Sequence, residues 1–144
     1  MKRLEYGSRD NARTPMQWDD SEYGGFSPCG PWININPDYK KYNVEAELKD
    51  DNSILNYYKK AIRLRKNNET LVYGRFEPVR FEPNNDILIY KRTLGDETFV
   101  VVMNLTSKEL KKPIVKDIVL SNYNSNSDKL RPYEVIVCKK VERY

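Results

Sequence analysis

The sequence predicts a mainly β protein, in which a small antiparallel β-sandwich follows an irregular arm and one α-helix. Three observations predict this class. Prolines and glycines interrupt residues 1–50, apolar residues recur at helical spacing from position 54, and short runs rich in Val, Ile, Tyr and Phe begin after position 70. We therefore expect two parts, residues 1–69 and residues 70–144, the second of which is an all-β domain.

The arm, residues 1–50, is expected to be irregular because neither the helical nor the strand period persists in it. An ordered loop of this length needs a surface to pack on. We expect its large apolar side chains to be anchors for such a surface, namely Trp18, Phe26, Trp32, Ile33, Ile35 and Tyr39.

A helix is predicted to start after Ser53, which is a good N-cap and follows Asp50 and Asp51. It is expected to end near Asn67-Asn68. One face repeats at i, i+3, i+4, i+7, i+8 and i+11, formed by Ile54, Tyr57, Tyr58, Ala61, Ile62 and Arg65.

Five short strands are predicted in the second part because β-branched and aromatic residues cluster there. Residues 83–86 and 94–97 are predicted hairpin connections, and residues 122–128 a polar loop. Antiparallel strands of this length and number favour a sandwich. The predicted strands are residues 76–81, 87–93, 98–105, 117–122 and 133–139.

The composition excludes several function classes. The absence of histidine removes Ser-His-Asp, Cys-His and His-ligated zinc chemistry. The net charge of +4 is not clustered, so no nucleic-acid partner is expected. No apolar stretch predicts a membrane span or signal peptide, so we expect a cytoplasmic protein without a membrane partner.

Two further sequence patterns are expected to carry no chemistry. Cys29 and Cys138 lack metal-ligand spacing and a disulfide framework, so free thiols and no metal or cofactor are expected. The glycosylation sequons at Asn68 and Asn104 are expected to be chance matches.

The run of residues 8–19 is the most specific pattern in the chain, and it reads SRDNARTPMQWD. The Asp10-Asn11 pair favours a turn, and Arg9 and Arg13 flank it. A guanidinium can hold a carboxylate or paired hydroxyls through two parallel hydrogen bonds. On the residues alone, a structural loop is favoured over a ligand site.

This run resembles the alpha-amylase family of glycoside hydrolases, in the branch of oligo-1,6-glucosidases, dextran glucosidases and alpha-glucosidases. Trehalose-6-phosphate hydrolases share most of the pattern and are alternative relatives. The resemblance continues through most of the chain, at Gly25-Phe26, Pro31-Trp32-Ile33, Asn36-Pro37, Asn43-Val44, the helix after Ser53 and, more weakly, Leu130–Glu134.

The resemblance implies that this chain is a C-terminal portion of an enzyme. The family's catalytic unit is a (β/α)8 barrel, which takes about 250 residues, and the matching run follows its last strand. Residues 1–69 would then be the terminal loop and last helix of the barrel, and residues 70–144 the family's C-terminal β domain. The catalytic acids would lie upstream, so we expect no catalytic residue here and no activity of the chain alone.

The acidic pairs of this chain do not suit glycoside hydrolysis. A retaining enzyme, as this family is, needs two carboxyl groups about 5–5.5 Å apart. The pairs Asp19-Asp20 and Asp50-Asp51 are adjacent residues in a turn or before a helix, where side chains diverge and acids cap.

One substrate-binding residue is implied by the resemblance. Arg9 would reach the pocket for the terminal glucose in the complete enzyme, paired with an aspartate from an early barrel loop. Asp10 and Arg13 would hold the loop. The implied reaction removes terminal alpha-linked glucose from short oligosaccharides, with alpha-1,6 linkages favoured, and needs no cofactor.

Two other functions remain open from the sequence. Eleven tyrosines and two tryptophans could make the β domain a stand-alone carbohydrate-binding module. Alternatively, the chain could be a structural or interaction module that self-associates through exposed, barrel-facing apolar residues. The first predicts oligosaccharide binding, and the second predicts oligomers.

Overall fold

Antiparallel strands dominate the described part of the chain, which comprises residues 12–80, 86–123 and 127–143 of a computed structural model. The strands are β1 (Arg75–Arg80), β2 (Ile87–Leu94), β3 (Glu97–Asn104), β4 (Leu110–Lys111), β5 (Ile114–Ser121), β6 (Lys129–Leu130) and β7 (Val135–Arg143). The helices are α1 (Val44–Lys49), α2 (Ile54–Lys66) and α3 (Glu69–Tyr73), with 3-10 turns at Glu22–Gly25 and Pro37–Lys40.

Five strands form one antiparallel sheet in the order β1-β2-β3-β7-β5, and β4 pairs with β6 in a separate ribbon. The hairpin between β2 and β3 turns at Gly95-Asp96, where Leu94 pairs with Glu97. Gly95 has a φ of 57°, a conformation that glycine adopts without steric cost. This hairpin confirms the connection predicted at residues 94–97.

Strand β3 lies at the centre of the core because both of its faces are covered. Val100 and Val102 face one apolar cluster, and Phe99 and Val101 face the other. A strand buried on both sides reads as a continuous apolar run, as residues 99–102 do. The first cluster adds Ile87, Ile89, Leu130, Ile136 and Cys138, and the second adds Val137 with Leu64 and Leu71 packed against it.

The chain divides into two compact units, Met1–Lys59 and Lys60–Tyr144. In the second unit, the ribbon residues Leu110 and Leu130 pack on one side of the sheet, and Leu64 and Leu71 belong to the cluster on the other. The division between the units falls within α2. The boundary predicted at residues 69/70 stays a prediction.

The predicted mainly β class is confirmed, and the predicted strands match β1, β2, β3, β5 and β7 with shifted ends. Strand β5 begins at Ile114, before the predicted residue 117. The sequence pattern did not predict this start, because register shifts after Ile114 and Ile118 break the alternation of the strand. The analysis of the sequence did not predict α1, α3 or the β4-β6 ribbon, and the predicted sandwich corresponds here to one sheet with a two-stranded second layer. Residues 81 and 83–85, in a predicted strand end and hairpin, lie outside the described residues.

Helix α2 confirms the predicted helix, but its apolar residues form two stripes. Tyr57, Ala61 and Leu64 are half-buried. The stripe formed by Ile54, Tyr58 and Ile62 is exposed, with Ile54 at 71 %. No residue of this helix is fully buried.

Candidate functional site

The predicted substrate-binding residue Arg9, together with Asp10, lies outside the described residues. Arg13, the second arginine of the same run, is described. Its guanidinium carbon lies 5.7 Å from the centroid of the Trp32 ring, within the range of a cation–π contact. This contact fits the structural role predicted for Arg13.

Gln17 joins the end of the run to the segment before α1. Its Nε2 donates to the Tyr42 carbonyl at 2.7 Å and to Asp38 Oδ1 at 3.1 Å. Because the side chain makes two bonds to residues more than twenty positions away, it fixes the course of both segments.

The backbone of the run also caps α1. The N–H groups of Val44 and Glu45 donate to the carbonyls of Gln17 and Trp18, each at 3.0 Å. The next N–H, of Ala46, donates to Asn43 Oδ1 at 2.8 Å. The first N–H groups of a helix have no partner inside the helix, so these bonds let a six-residue helix form.

A left-handed turn holds the loop after the run. Tyr23, Gly24 and Gly25 have φ values of 54°, 65° and 65°. The Gly24 carbonyl accepts from the N–H groups of Trp18 at 2.8 Å and Asp19 at 3.2 Å. A Cβ at position 25 would overlap the Asp19 carboxylate, so the positive φ and the position of Asp19 both favour glycine there.

The first acidic pair belongs to this turn. Asp19 Oδ1 accepts from the Ser21 hydroxyl and, at 2.9 Å, from the Ser21 N–H. The pKa of Asp19 is lowered below its usual value, first by the hydroxyl bond and then by the N–H bond. A general acid in glycoside hydrolysis needs a raised pKa. Asp19 is therefore suited to an ionised role in the turn rather than to proton donation.

The second acidic pair precedes α2 and stabilises its start. Asp50 Oδ1 accepts from the Asn52 N–H at 2.9 Å, and the Asp50 carbonyl accepts from the Ser53 N–H at 3.0 Å. Ser53 Oγ accepts from the Asn56 N–H at 3.1 Å, which confirms the predicted N-cap. Glu47 Oε2 accepts a hydrogen bond from the Leu55 N–H at 2.9 Å, a capping bond that the sequence did not predict.

The predicted anchors of the arm differ in burial. Ile33, Ile35 and Tyr39 are half-buried, whereas Trp18 and Phe26 are about half exposed. Trp32 is 82 % exposed and has the Arg13 contact on its ring. Large exposed aromatics of this kind offer apolar area to another surface or to the face of a sugar ring.

In the β unit, the aromatic residues near the predicted Leu130–Glu134 match serve the loop itself. The Tyr123 hydroxyl donates to the Pro132 carbonyl at 3.0 Å, and the Arg131 guanidinium carbon lies 4.7 Å from the Tyr123 ring centroid. Tyr133 is exposed and has a φ of 56°. These contacts use the aromatic faces for structure, so they give little support to a stand-alone sugar-binding platform.

Asn104 is the main polar centre of this loop region, and sequence reasoning missed its role. It is 2 % exposed, and its Nδ2 donates to the carbonyls of Lys108 and Arg131, each at 2.7 Å. Its Oδ1 accepts from the N–H and hydroxyl of Thr106, each at 2.9 Å. The Asn-Leu-Thr sequence was the available signal, since Asn and Thr form turns of this type. Both amide hydrogens of Asn104 donate to backbone carbonyls of the loop, so the Asn-Leu-Thr sequence has a structural role that requires no glycan.

Glu134 is the second buried polar residue of the region, at 1 % exposed. Its Oε2 accepts from the Arg131 N–H at 2.8 Å, and its carbonyl accepts from the Asn104 N–H at 2.9 Å. A buried acid of this kind usually has partners. Glu134 is therefore explained by the turn at residues 131–134.

The described residues contain no group of three or more Cys, Asp or Glu side chains that could hold a metal ion. Among the helices of the described ranges, none is long and apolar enough to cross a membrane. The cysteines are free, with Cys29 exposed and Cys138 buried.

Residues 1–74 match the alpha amylase catalytic domain family. The oligo-1,6-glucosidase of Parageobacillus thermoglucosidasius is 43 % identical over 96 % of this chain and 27 % of its own length. The chain thus spans about a quarter of the length of the curated relatives it matches.

Solved structures of two enzymes match the fold. Isomaltulose synthase from Klebsiella sp. LX3 has a TM-score of 0.84 and 34 % identity over 91 % of this chain and 25 % of its own. Trehalose-6-phosphate hydrolase from Bacillus licheniformis has a TM-score of 0.81 and 32 % identity over 94 % of this chain and 27 % of its own.

Proposed function

Because this chain belongs to the alpha-amylase family, we propose that it is the C-terminal part of a retaining alpha-glucosidase. The complete enzyme would remove terminal alpha-linked glucose from short oligosaccharides, with alpha-1,6 linkages favoured. The observation that carries the proposal is the match to oligo-1,6-glucosidases over at least 95 % of this chain. The linkage preference rests on those relatives and on the run of residues 8–19.

In this proposal the chain supplies binding and support, and the catalytic carboxylates come from the part of the enzyme that it does not span. The bonding of its own acids supports this division. Asp19 is held by Ser21, and Asp50 is held in the turn before α2. The chain alone is expected to have no hydrolase activity.

Arg9 is the proposed substrate-binding residue of the complete enzyme. A guanidinium paired with a carboxylate can read the outermost hydroxyls of a sugar and close the pocket at one end, which favours cleavage from a chain end. A site that binds hydroxyls in this way rejects analogues that lack them, because buried polar groups are left unpaired. The firm attachment of Gln17 and Trp18 to α1 supports this role, since it fixes the chain that follows Arg9.

A second candidate parent is a trehalose-6-phosphate hydrolase. The structure of the Bacillus licheniformis enzyme supports it, with a TM-score of 0.81 and 32 % identity over 94 % of this chain. The two candidates differ in substrate charge. Only a trehalose-6-phosphate hydrolase would prefer a phosphorylated disaccharide over isomaltose.

Complementation tests the proposal. The purified chain is mixed with a fragment of the Parageobacillus thermoglucosidasius enzyme that lacks the quarter this chain matches. Turnover of p-nitrophenyl alpha-glucoside, isomaltose and trehalose 6-phosphate is measured for the chain, the fragment and the mixture. Activity on the first two substrates in the mixture alone is expected. A second mixture uses the corresponding fragment of the Bacillus licheniformis trehalose-6-phosphate hydrolase. Turnover of trehalose 6-phosphate in that mixture, with no turnover in the first, would select the second candidate.

The variant Arg9→Lys separates pocket completion from simple assembly. It keeps the charge but loses the two parallel hydrogen bonds, so kcat/KM of the mixture should fall about 10- to 100-fold. Arg75→Lys, at an exposed position of β1, is the matched control and should leave turnover unchanged. Turnover by the chain alone that is lost on Arg9→Ala would refute the proposed division of roles.

A further inference from the structure

Trp32 is the most exposed of the large apolar residues that the structure describes, at 82 %. Its ring has the Arg13 guanidinium over one face, with 5.7 Å between the guanidinium carbon and the ring centroid. The cation stabilises the indole from that side and leaves the rest of the ring open to solvent. Trp32 therefore offers a flat apolar face on which another ring can stack.

The segment that carries Trp32 is packed against the run that ends near Gln17. Gly24 is in close contact with both, since an added Cβ there would meet Ile35 Cδ1 and lie 3.5 Å from Gln17 Cα. Gln17 Nε2 also donates to the Tyr42 carbonyl at 2.7 Å. A side chain on a segment that is already held in place loses less conformational entropy when a ligand binds.

The exposed residue that follows Trp32 most closely in the chain is polar. Asn34 is exposed, whereas Ile33 and Ile35 on either side of it are half-buried. An amide group both donates and accepts hydrogen bonds, so it can pair with hydroxyl groups. A sugar ring has apolar C–H faces and hydroxyl edges, so it suits an aromatic face with an amide close by in the chain.

Trp32 also belongs to the part of the chain that is assigned to substrate binding. It lies within residues 1–74, which match the alpha amylase catalytic domain family. Its partner Arg13 follows Arg9 by four residues, and a chain of that length spans at most about 14 Å. An oligosaccharide of a few linked sugars is therefore long enough to extend from a terminal glucose at Arg9 to the indole.

We propose that Trp32 stacks on a sugar ring of the substrate beyond the terminal glucose, and that it makes the complete enzyme prefer oligosaccharides over simple alkyl glucosides. This inference rests on the proposed alpha-glucosidase function. Trp32 determines specificity and takes no part in bond cleavage. Arg13 is a positioning residue, because it holds the indole from the face that the sugar does not use.

An NMR titration of the unaltered chain tests the stacking directly. The chain has two tryptophans, so its indole N–H groups give two signals, which Trp32→Phe assigns. Isomaltotriose should shift the Trp32 signal and leave the Trp18 signal almost unchanged. Tyr73→Ala removes another aromatic of similar exposure, 75 %, and should leave the titration unchanged. The proposal is overturned if the Trp32 signal does not shift up to the solubility of the sugar, or if both indole signals shift equally.

The complementing mixture tests the preference for oligosaccharides. Trp32→Ala should lower kcat/KM for isomaltotriose about tenfold, because a stacked ring is lost. It should leave kcat/KM for methyl alpha-glucoside unchanged, because that substrate has no second sugar. Trp32→Phe keeps a smaller aromatic face and should lose less than Trp32→Ala. Tyr73→Ala is again the control and should change neither value.

The outcomes separate this inference from the function on which it rests. If the mixture is active and Trp32→Ala lowers kcat/KM equally for both substrates, the stacking is wrong and the proposed function stands. If the mixture is inactive on every substrate, the result counts against the proposed function. The NMR titration then decides by itself whether Trp32 binds a sugar, since it requires only this chain.

Discussion

The substitution Asn104→Asp tests the polar centre of the β unit with a change of one group. The amide nitrogen now donates to two carbonyls at 2.7 Å, and a carboxylate can donate to neither. Each buried bond left unmade costs roughly 1–3 kcal/mol, so we expect a loss of roughly 2–6 kcal/mol near neutral pH. The bonds accepted from Thr106 can persist, because the substituted side chain keeps its acceptor oxygens.

The loss should depend on pH in a defined direction. Burial beside two carbonyl oxygens raises the pKa of the introduced carboxyl group above its unfolded value of about 3.9. A protonated carboxyl group can donate one of the two lost bonds. The missing stability is therefore partly present below that unfolded value and is lost as the pH rises through the higher pKa of the folded state.

Urea unfolding followed by far-UV circular dichroism, at about pH 7 and about pH 4, measures both effects. Each loss is taken against the unaltered chain at the same pH. Asn67→Asp is the control, because Asn67 is exposed and its side chain should change stability by less than about 1 kcal/mol. A loss below 1 kcal/mol at neutral pH, or an equal loss at both pH values, would refute the assigned role of Asn104.

Four further outcomes are expected. In the native chain, a thiol reagent should label the exposed Cys29 and spare the buried Cys138 until urea is added. Burial also raises the pKa of the Cys138 thiol to about 11, so little reactive thiolate forms. Labelling of both cysteines at equal rates would contradict the burial of Cys138. For the same reason the Cys138 contribution to stability is complete below pH 9.0 and is lost as the pH rises toward about 11, a loss that Cys138→Ala should lack. The pKa of Glu97 is lowered, first by the hydrogen bond from Lys139. Glu97→Gln should therefore reduce the free energy of unfolding in urea near neutral pH, and its difference from the unaltered chain should disappear as the pH falls below 4.5. A difference that grows in acid would contradict this. Ser53→Ala should cost about 0.5–2 kcal/mol by removing the cap of α2, and an unchanged urea midpoint would show that the cap is dispensable.

Elements with local signals were predictable from the sequence. Helix α2 has its cap at Ser53 and an apolar period along its length. Strand β3 has an unbroken apolar run. The hairpin turn has glycine where φ is positive. Each of these signals acts within a few residues, so no knowledge of tertiary contacts was needed.

Elements that depend on distant partners were not predictable. Strands β4 and β6 are two residues each, and their pairing joins Leu110 to Leu130 across strand β5 and the polar loop that follows it. Helix α1 depends on the carbonyls of Gln17 and Trp18, which lie far back in the chain. Neither element has a period long enough to be recognised by itself.

The residues of the candidate site likewise include some whose roles the sequence predicts and some whose roles it does not. The resemblance supplied Arg9, and the turn chemistry supplied the structural roles of Asp19 and Asp50. The sequence did not predict the roles of Gln17 and Asn104, because the hydrogen bonds of an amide side chain depend on partners that are distant in the sequence.

The position of β7 in the sheet has a consequence for synthesis on the ribosome. Residues 135–143 lie between β3 and β5 and bond to both. Until these residues have left the ribosome, β3 is paired on one side only, with β2, and β5 has no partner strand in the sheet. The β unit must therefore wait with apolar strands uncovered, and a translational pause shortly before residue 135 would prolong the stage at which nascent chains can aggregate.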